Sequence, residues 1–333
     1  MKAKKITALL MAAVMTMSLA ACGGSSDTAG DSADAKDEKT YKVGICQLVQ
    51  HDALDAATQG FQDALTEKLG DNVEFDLQNA GGDSPTCSTI TTQFVNDGVD
   101  LIMANATPAL QAAMAATADI PIVATSVTDF ATALDIKDWK GTSGINVTGT
   151  ADLAPLAEQA EMVKELVPDA KTVGILYCSA EANSKYQSDV ITEEFDSLGL
   201  DVKEYTVADT NDIQSVVTKA CGEVDVIYIP TDNTIASATA AVNEIAAPAN
   251  IPIVAGEEGI CKGCGIATLS ISYYSIGYEA GLMAYDILVN GADPAEMEIK
   301  YATELTKKYV EDRAADLNIT VPDAYEAIDM SAE

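Results

Sequence analysis

Basic residues and histidine are scarce in this sequence. It contains 19 lysines and arginines against 52 aspartates and glutamates, which gives a formal net charge of −33, and its one histidine is His51. Proteins that bind nucleic acid neutralise phosphates with a basic face, so this balance excludes nucleic acid as a partner and argues against a transcription regulator. Solubility and mutual repulsion at a crowded surface explain the acidity.

Recognisable catalytic motifs are also missing. The sequence has no G-x-S-x-G nucleophile elbow, no G-x-x-x-x-G-K-[ST] phosphate loop and no histidine-rich cluster. One histidine cannot complete most acid–base constellations while it also binds substrate. We therefore expect a protein that is not an enzyme and that uses neither a cofactor nor a metal.

The N-terminal region indicates export. Three lysines precede an apolar run at 6–21, which has the regions of a signal peptide and is too short to span a bilayer stably. The stretch 19–23 (Leu-Ala-Ala-Cys-Gly) resembles the lipobox of bacterial lipoproteins, in which the cysteine is diacylated. We interpret 1–21 as a signal peptide and 22–40 as a flexible tether, lipidated at Cys22, that holds the protein on the outer face of the cell membrane.

Lipidation of Cys22 would leave six cysteines, which permit disulfides outside the membrane. They are Cys46, Cys87, Cys178, Cys221, Cys261 and Cys264. Sequence alone does not fix how six cysteines pair. Cys261 and Cys264 form a C-x-x-C motif, but no second motif exists to complete a zinc site. This favours a local disulfide or two free thiols over metal or redox chemistry.

Three sequence motifs occur twice, in the same order and about 130 residues apart. The pairs are KVGI at 42–45 with TVGI at 172–175, VDLI at 99–102 with VDVI at 224–227, and IPIVA at 120–124 and again at 251–255. A constant order and a nearly constant spacing indicate that the two halves are structural copies.

Each copy alternates short β-branched runs with segments of helical period. In the first copy, strands are predicted at 41–49, 73–79, 99–104 and 120–126, and helices at 54–69, 88–97 and 108–118. Alternating strands and helices specify a parallel sheet covered on both faces, and ligands of such sheets bind beyond the carboxyl ends of the strands. The predicted fold is α/β, with two Rossmann-like lobes of parallel sheet that face each other across a cleft.

The tail after the second copy predicts how the lobes are joined. A strand at 266–272 and a helix at 276–290, then a strand at 299–301 and a helix at 307–317, would complete one lobe and then the other. The predicted N-terminal lobe is 41–145 plus 270–292, the predicted C-terminal lobe is 146–269 plus 293–325, and the first linker lies near 143–149. The chain then crosses the hinge several times, which permits closure about a ligand.

Seven short stretches at predicted strand ends and helix starts form a pattern shared with a known family. They are 49–55 (VQHDALD), 106–109 (ATPA), 125–129 (TSVTD), 146–149 (NVTG), 179–184 (SAEANS), 230–234 (PTDNT) and 273–277 (YYSIG). With them the chain resembles the ABC-transporter substrate-binding lipoproteins of tryptophan and tyrosine uptake. The resemblance implies a type I periplasmic-binding fold with a multi-crossing hinge, a monomer, and delivery of an aromatic amino acid to an ABC permease. The high cysteine content, and Cys261 and Cys264 in a loop near the predicted site, depart from the family pattern.

These stretches offer the groups that a zwitterionic amino acid requires. Such a ligand needs donors for its carboxylate, an acceptor for its ammonium and an apolar pocket for its side chain. We expect Thr107 and the helix after it to hold the carboxylate, and Asp232 or Glu257 to accept from the ammonium. The full set of candidate ligand-binding residues is Gln50, His51, Asp55, Thr107, Ser126, Val127, Thr128, Asn146, Glu181, Asn183, Thr231, Asp232, Asn233 and Glu257.

Several of these candidates have a purely structural alternative. Residues 231–234 and 126–129 can simply cap the helices that follow them, and His51 and Asp55 lie four residues apart on one helix face. A cleft position is favoured for His51, and a contact with the ligand or the hinge for Asn146. A branched aliphatic amino acid, a sugar or a nucleoside remains an alternative ligand, although aromatic residues, on which sugars stack, are only 5% of the chain. A sensor that presents its ligand to a receptor remains an alternative to transport.

Overall fold

The structure is a computed structural model that describes residues 39–331. The predicted signal peptide, the lipidation site Cys22 and the predicted tether as far as residue 38 lie outside the described residues. Between residues 39 and 331, no helix is both long enough and apolar enough to cross a membrane.

The first of two sheets is built mainly from the first copy. Its six strands, labelled in chain order, are β1 (Tyr41–Gln47), β2 (Val73–Asn79), β3 (Leu101–Asn105), β4 (Ile122–Val127), β5 (Val147–Ala151) and β11 (Lys300–Tyr301). They are arranged in the order β11-β5-β4-β3-β1-β2, and all of their pairings are parallel.

The second sheet repeats this plan in the second copy. Its seven strands are β6 (Thr172–Cys178), β7 (Asp201–Val207), β8 (Val226–Ile229), β9 (Ile253–Ala255), β10 (Ala267–Ser270), β12 (Thr306–Tyr309) and β13 (Glu326–Ala327). The order is β13-β12-β10-β9-β8-β6-β7, and β10 with β12 is the antiparallel pair. The predicted α/β fold with two parallel-sheet lobes is confirmed, and the lobes are called the first and second lobe below.

Helices cover the faces of each sheet. Those of the first lobe are α1 (Asp52–Leu69), α2 (Ser84–Asp97), α3 (Thr107–Ala116), α4 (Phe130–Ala133) and α11 (Tyr273–Asn290). Those of the second lobe are α5 (Leu156–Leu166), α6 (Ala182–Ser197), α7 (Ile213–Cys221), α8 (Asn233–Ala236), α9 (Thr239–Ala246), α10 (Glu258–Cys264) and α12 (Glu311–Asp316). Because the sheets are covered on both faces, the central strands β3 and β8 are buried along their whole length.

Close packing of α1 against α11 fixes one wall of the first lobe. A Cβ atom on Gly277 would lie 2.0 Å from the carbonyl oxygen of Ala57, and one on Gly60 would lie 2.2 Å from that of Tyr274. Only glycine permits the two helix backbones to approach so closely. The start of α1, at the carboxyl end of β1, is thereby held against the start of α11.

The chain passes between the lobes three times, at 152–155, 271–272 and 302–305. The predicted lobe boundary between residues 145 and 146 is too early, because β5 follows it and pairs with β4 in the first sheet. The predicted C-terminal lobe also included β11, which pairs with β5 in the first sheet. The duplication indicates β5, because this strand follows the first IPIVA motif in the same way that β10 follows the second.

Candidate functional site

The carboxyl ends of the strands in both lobes meet at one interlobe cavity. His51 Nε2 lies 3.2 Å from Asn233 Oδ1, and Thr128 Oγ1 lies 3.3 Å from Thr231 Oγ1, so hydrogen bonds join the lobes directly. The space between these contacts, called the central cavity, has a volume of about 10 Å³. Its lining residues are His51, Leu54, Ser126, Thr128, Asp152, Asn183, Thr231, Asp232, Asn233, Ala236, Glu257 and Tyr273.

Most of the candidate residues come together here. Eight of the fourteen line the central cavity: His51, Ser126, Thr128, Asn183, Thr231, Asp232, Asn233 and Glu257. Glu181 and Gln50 line two neighbouring pockets. The carboxyl-end rule for parallel sheets therefore locates most of the polar residues that surround the cavity.

The first lobe presents hydroxyl groups that no neighbour satisfies. Ser126 Oγ and Thr107 Oγ1 are buried and have no hydrogen-bond partner among the described residues. The backbone at Ser126 has φ 56°, and that at Ala106, directly before Thr107, has φ 91°. Residues other than glycine rarely adopt positive φ, and such backbone strain concentrates at ligand sites.

The carboxylates of the second lobe are already occupied. Asp232 Oδ2 accepts from the backbone N–H of Cys178 at 2.6 Å and from Ser184 Oγ at 2.7 Å, while its Oδ1 accepts from the N–H of Ile235 at 2.8 Å. Glu257 accepts from two backbone N–H groups at the start of α10. Burial raises the pKa of Asp232 to about 7 and that of Glu257 to about 7. Both residues cap helices, and for Asp232 this is the structural alternative proposed for 231–234.

A hydrogen-bond network immobilises the rest of this face. Glu181 accepts from the backbone and side chain of both Asn233 and Thr234. Gln187 Oε1 accepts from the N–H and hydroxyl of Thr231 at 3.1 and 2.8 Å. Asn183 donates to Glu181 and to the carbonyl of Thr231, but its Oδ1 has no partner among the described residues. One acceptor on this face therefore remains open.

Four residues of the cavity were not among the candidates, and two of these are polar, namely Asp152 and Tyr273. The Tyr273 hydroxyl donates to Asp152 Oδ2 at 2.8 Å, whereas Asp152 Oδ1 is buried and has no partner within the described ranges of the chain. Burial raises the pKa of Asp152. Asp152 was missed because the lobe boundary was predicted before β5. With β5 recognised, Asp152 is the first residue after a strand, which is the position that the carboxyl-end rule selects.

His51 lies in the cavity, at the position favoured from the sequence. Burial of the imidazole lowers its pKa, so the ring is neutral at pH 7. Its Nε2 contacts Asn233, and its Nδ1 has no partner in the described part of the chain. A neutral imidazole presents one donor and one acceptor, so the ring can link Asn233 to a polar group in the cavity.

Three candidates serve the first lobe rather than the cavity. Asp55 Oδ1 accepts from Gln47 Nε2 at 2.6 Å, and Val127 is fully buried in the core. Asn146 donates to the carbonyl of Ile120 at 2.7 Å. Because Asn146 precedes β5, it lies at the amino end of the strand, away from the cavity. Asn146 therefore does not line the central cavity, in contrast to its expected place at the ligand or the hinge.

Three pockets share lining residues with the central cavity. One, of about 300 Å³, shares Glu257 and Tyr273 with it, and the other two differ in chemistry. The first of these two, called the apolar pocket, has a volume of about 160 Å³ and shares Asn233 with the cavity. Its apolar lining is Leu48, Val49 and Pro108 on one side and Ala180 and Ala208 on the other, and its polar lining includes Ser84, Glu181, Asp209, Thr210, Thr234 and Ser237. The polar pocket, of about 370 Å³, is lined by Gln50, Asp52, Lys262 and other mainly polar residues, and shares His51 and Glu257 with the cavity. Both pockets contain residues of both lobes.

Comparisons with known proteins agree on a family. Residues 42–330 match the family model described as ABC transporter substrate binding protein. The chain is 39% identical to a tyrosine-binding protein of Clostridioides difficile (strain R20291) over 295 residues, which cover 86% of this chain and 85% of that protein.

Two solved structures of similar sequence identity, one with a ligand and one without, match this chain to different extents. An ABC domain from Streptococcus pneumoniae in complex with L-Trp is 34% identical, with a TM-score of 0.83, covering 87% of this chain and 100% of that chain. The ligand-free, open structure of a substrate-binding protein with adhesive properties from Clostridium difficile is 36% identical, with a TM-score of 0.66, covering 87% and 99%. At nearly equal identity, the lobes here are arranged more like those of the L-Trp complex than those of the open structure.

Proposed function

The chain belongs to the ABC transporter substrate-binding proteins, and on this premise we propose that it binds an aromatic amino acid between its lobes and delivers it to an ABC importer. Substrate-binding proteins of ABC importers are extracytoplasmic. The proposal includes a monomer held on the membrane through diacylated Cys22.

One observation carries the ligand proposal. Seven buried side-chain polar atoms in the described part of the chain lack a hydrogen-bond partner, and four of them line the central cavity. These four are His51 Nδ1, Ser126 Oγ, Asp152 Oδ1 and Asn183 Oδ1. Native proteins pair nearly all buried polar atoms, because an unpaired one costs about 1–3 kcal/mol. Such a concentration supports a polar ligand that completes these hydrogen bonds.

Three of the four atoms match the two charged groups of an amino acid. Asp152 Oδ1 and Asn183 Oδ1 are acceptors, as an ammonium with three N–H donors requires. Ser126 Oγ is a donor for the carboxylate. Thr107 Oγ1 and the N-terminus of α3 provide further donors at the end of the neighbouring strand. Asp152 replaces Asp232 and Glu257 as the proposed ammonium partner, because it alone of the three has an unoccupied oxygen.

The apolar pocket supports an aromatic side chain. It opens beside the cavity at Asn233, and its apolar wall is formed by Leu48, Val49 and Pro108 across from two alanines. Asp209 and Thr210 also line it, so a phenol hydroxyl or an indole N–H would find an acceptor there. The polar pocket on the other side, with Asp52 and Lys262, suits an aromatic ring less well.

Thermal denaturation of residues 39–333 with a ligand panel tests the proposal. We expect L-tryptophan, L-tyrosine or L-phenylalanine to raise Tm, since a ligand bound only by the folded state stabilises it by mass action. The 2-hydroxy acid analogue of phenylalanine, which lacks the ammonium, serves as the matched control and should give a smaller shift. If the aromatic amino acids leave Tm unchanged while a sugar or nucleoside raises it, the proposed ligand class is refuted.

A further inference from the structure

The imidazole of His51 lies at the junction of the two lobes, and its two nitrogen atoms have different surroundings. Nε2 lies 3.2 Å from Asn233 Oδ1, on the second lobe. Nδ1 is buried and has no hydrogen-bond partner between residues 39 and 331. Among the four unpartnered atoms of the central cavity, Nδ1 has no role in the amino acid binding described above. Its chemistry depends on which nitrogen of the ring carries the proton.

A carboxylate of the second lobe determines where that proton is. Glu181 Oε2 accepts from the backbone N–H of Asn233 at 3.2 Å, and the side-chain nitrogen of Asn233 lies 2.6 Å from the same oxygen. An ionised carboxylate only accepts hydrogen bonds, so the NH₂ end of the Asn233 amide faces Glu181 and its oxygen faces His51. His51 Nε2 therefore carries a proton and donates it to Asn233 Oδ1.

The other nitrogen of the ring is consequently an acceptor. Burial lowers the pKa of His51, so the ring is neutral at pH 7 and has a single N–H group, at Nε2. Nδ1 then presents a lone pair and no proton. A buried acceptor without a partner costs free energy, so any ligand group that faces Nδ1 should be a donor.

Two more buried acceptors belong to the same cavity. Asn183 Nδ2 donates to Glu181 Oε2 and to the carbonyl of Thr231, both at 3.2 Å, which leaves Asn183 Oδ1 as the free end of that amide. Asp152 Oδ1 is the other unpartnered acceptor. The central cavity, with its volume of about 10 Å³, holds about one water-sized group. Water donates two hydrogen bonds, whereas a primary ammonium donates three.

We propose that His51 is a specificity-determining residue, whose Nδ1 accepts the third N–H of a primary ammonium group beside Asp152 Oδ1 and Asn183 Oδ1. The assignment depends on the proposed function and specifies the ligand amine further. An N-alkylated amine would leave one of the three acceptors unpaired and should be rejected. The acceptors belong to α1, the first crossing and α6, so a single ammonium would join both lobes. Glu181 and Asn233 are positioning residues that act through the ring of His51.

Nitrogen NMR of the untagged protein tests the tautomer. The sequence has one histidine, so a long-range ¹H–¹⁵N correlation spectrum of residues 39–333 contains a single imidazole. We expect Nδ1 to resonate as an unprotonated nitrogen and Nε2 as a protonated one. Asn233→Ala removes the acceptor of Nε2, so both tautomers should become populated and the two resonances should move toward each other. A protonated Nδ1 in the wild-type protein would overturn the assignment.

Titration with L-tyrosine tests the contact itself. Binding should shift the Nδ1 resonance toward the protonated position and leave Nε2 nearly unchanged, because the ammonium donates to Nδ1. If Nδ1 does not respond although L-tyrosine binds, the ring faces some other group and the proposal is wrong. If L-tyrosine does not bind, the proposed function fails and the ammonium contact fails with it. The ligand-free spectrum tests the tautomer separately from both outcomes.

A comparison of two ligands in two proteins measures the selectivity. The wild type should bind L-tyrosine at least about tenfold more tightly than N-methyl-L-tyrosine, whose secondary ammonium has two N–H groups. His51→Gln keeps a donor for Asn233 Oδ1 but has no acceptor at the position of Nδ1. Its Kd for L-tyrosine should rise about tenfold, and its Kd for N-methyl-L-tyrosine by less than about threefold. Equal losses for both ligands would show that His51 only holds the lobes together, which would overturn the proposal.

Discussion

The polar side chains on the two faces of the central cavity differ in whether their own lobe satisfies their hydrogen bonds. On the second lobe, the carboxylates of Asp232, Glu257 and Glu181 accept hydrogen bonds from their own lobe. On the first lobe, the hydroxyls of Ser126 and Thr107 are buried and have no partner between residues 39 and 331, and they lie on or beside backbone with positive φ. The second face is therefore rigid by itself, whereas the first leaves its polar groups for a ligand. A polar residue at a strand end is a ligand contact only if its own lobe has not already satisfied it.

The largest expected effect on binding is at Asp152, which lies in the first crossing between the two faces. Asp152→Asn should weaken the binding of L-tyrosine by about 100-fold or more, because a buried charged partner of the ammonium is lost. Titration calorimetry measures the change. Asp189→Asn, at an exposed carboxylate that pairs with Lys185 on α6, should leave Kd unchanged. A Kd within about threefold of wild type for Asp152→Asn would remove this residue from the site.

Removal of a hydrogen-bond acceptor from the second face should reduce stability more than it reduces ligand affinity. Asp232→Ala removes the acceptor of three hydrogen bonds inside the second lobe, so we expect the free energy of unfolding to fall by about 2–4 kcal/mol. Urea denaturation measures this loss. Asp293→Ala is the matched control, because Asp293 accepts from the N–H of Ala295 in an exposed turn and its loss should cost about 1 kcal/mol or less. Full stability with a large loss of affinity in Asp232→Ala would reverse the comparison.

The second face should also make stability depend on pH. The pKa of Glu257 rises from 4.5 to about 7 on folding, so its contribution is present below pH 4.5 and is lost as the pH rises through 7. Glu257→Gln should flatten the fall in unfolding free energy between pH 5 and 7 by up to about 1.4 kcal/mol per pH unit. Urea denaturation at several pH values in this range detects it. Some dependence of the unfolding free energy on pH should remain in this variant, because the pKa of Asp232 is raised similarly. An unchanged slope in the variant would show that Glu257 ionises normally.

The smallest effects on stability and affinity are expected from Ser126→Ala, on the first face. Ser126→Ala removes an unpartnered hydroxyl, so stability should change by less than about 0.5 kcal/mol while Kd rises roughly tenfold. Ser184→Ala is the contrasting variant, since Ser184 Oγ donates to Asp232 Oδ2 at 2.7 Å and should lose stability instead. Calorimetry and urea denaturation on the same two proteins separate the outcomes. Equal losses of stability in both variants would contradict the proposed difference between the two faces.

The sequence predicted the architecture better than it predicted the roles of individual residues. The repeated KVGI and IPIVA motifs form buried strands in both lobes, and the rule that ligands bind beyond strand ends located His51, Ser126 and Asn233. Asn146 does not line the cavity, because β5 begins directly after it and the residue lies at the amino end of that strand. The partners of Asp232 come from Cys178 and Ser184, whose proximity depends on how β6 and α6 pack against β8. No local pattern encodes such long-range contacts, so occupied and unoccupied carboxylates look alike in a sequence.

A crystal structure of residues 39–333 grown with L-tyrosine tests the central claim most directly. We predict that the ligand lies between the lobes, with its ammonium nitrogen about 3 Å from Asp152 Oδ1 and its carboxylate next to Ser126 Oγ. The aromatic ring should enter the apolar pocket beside Leu48 and Val49. An ammonium bound to Asp232 or Glu257 with Asp152 Oδ1 left unpaired, or a ligand outside the interlobe space, would contradict the account.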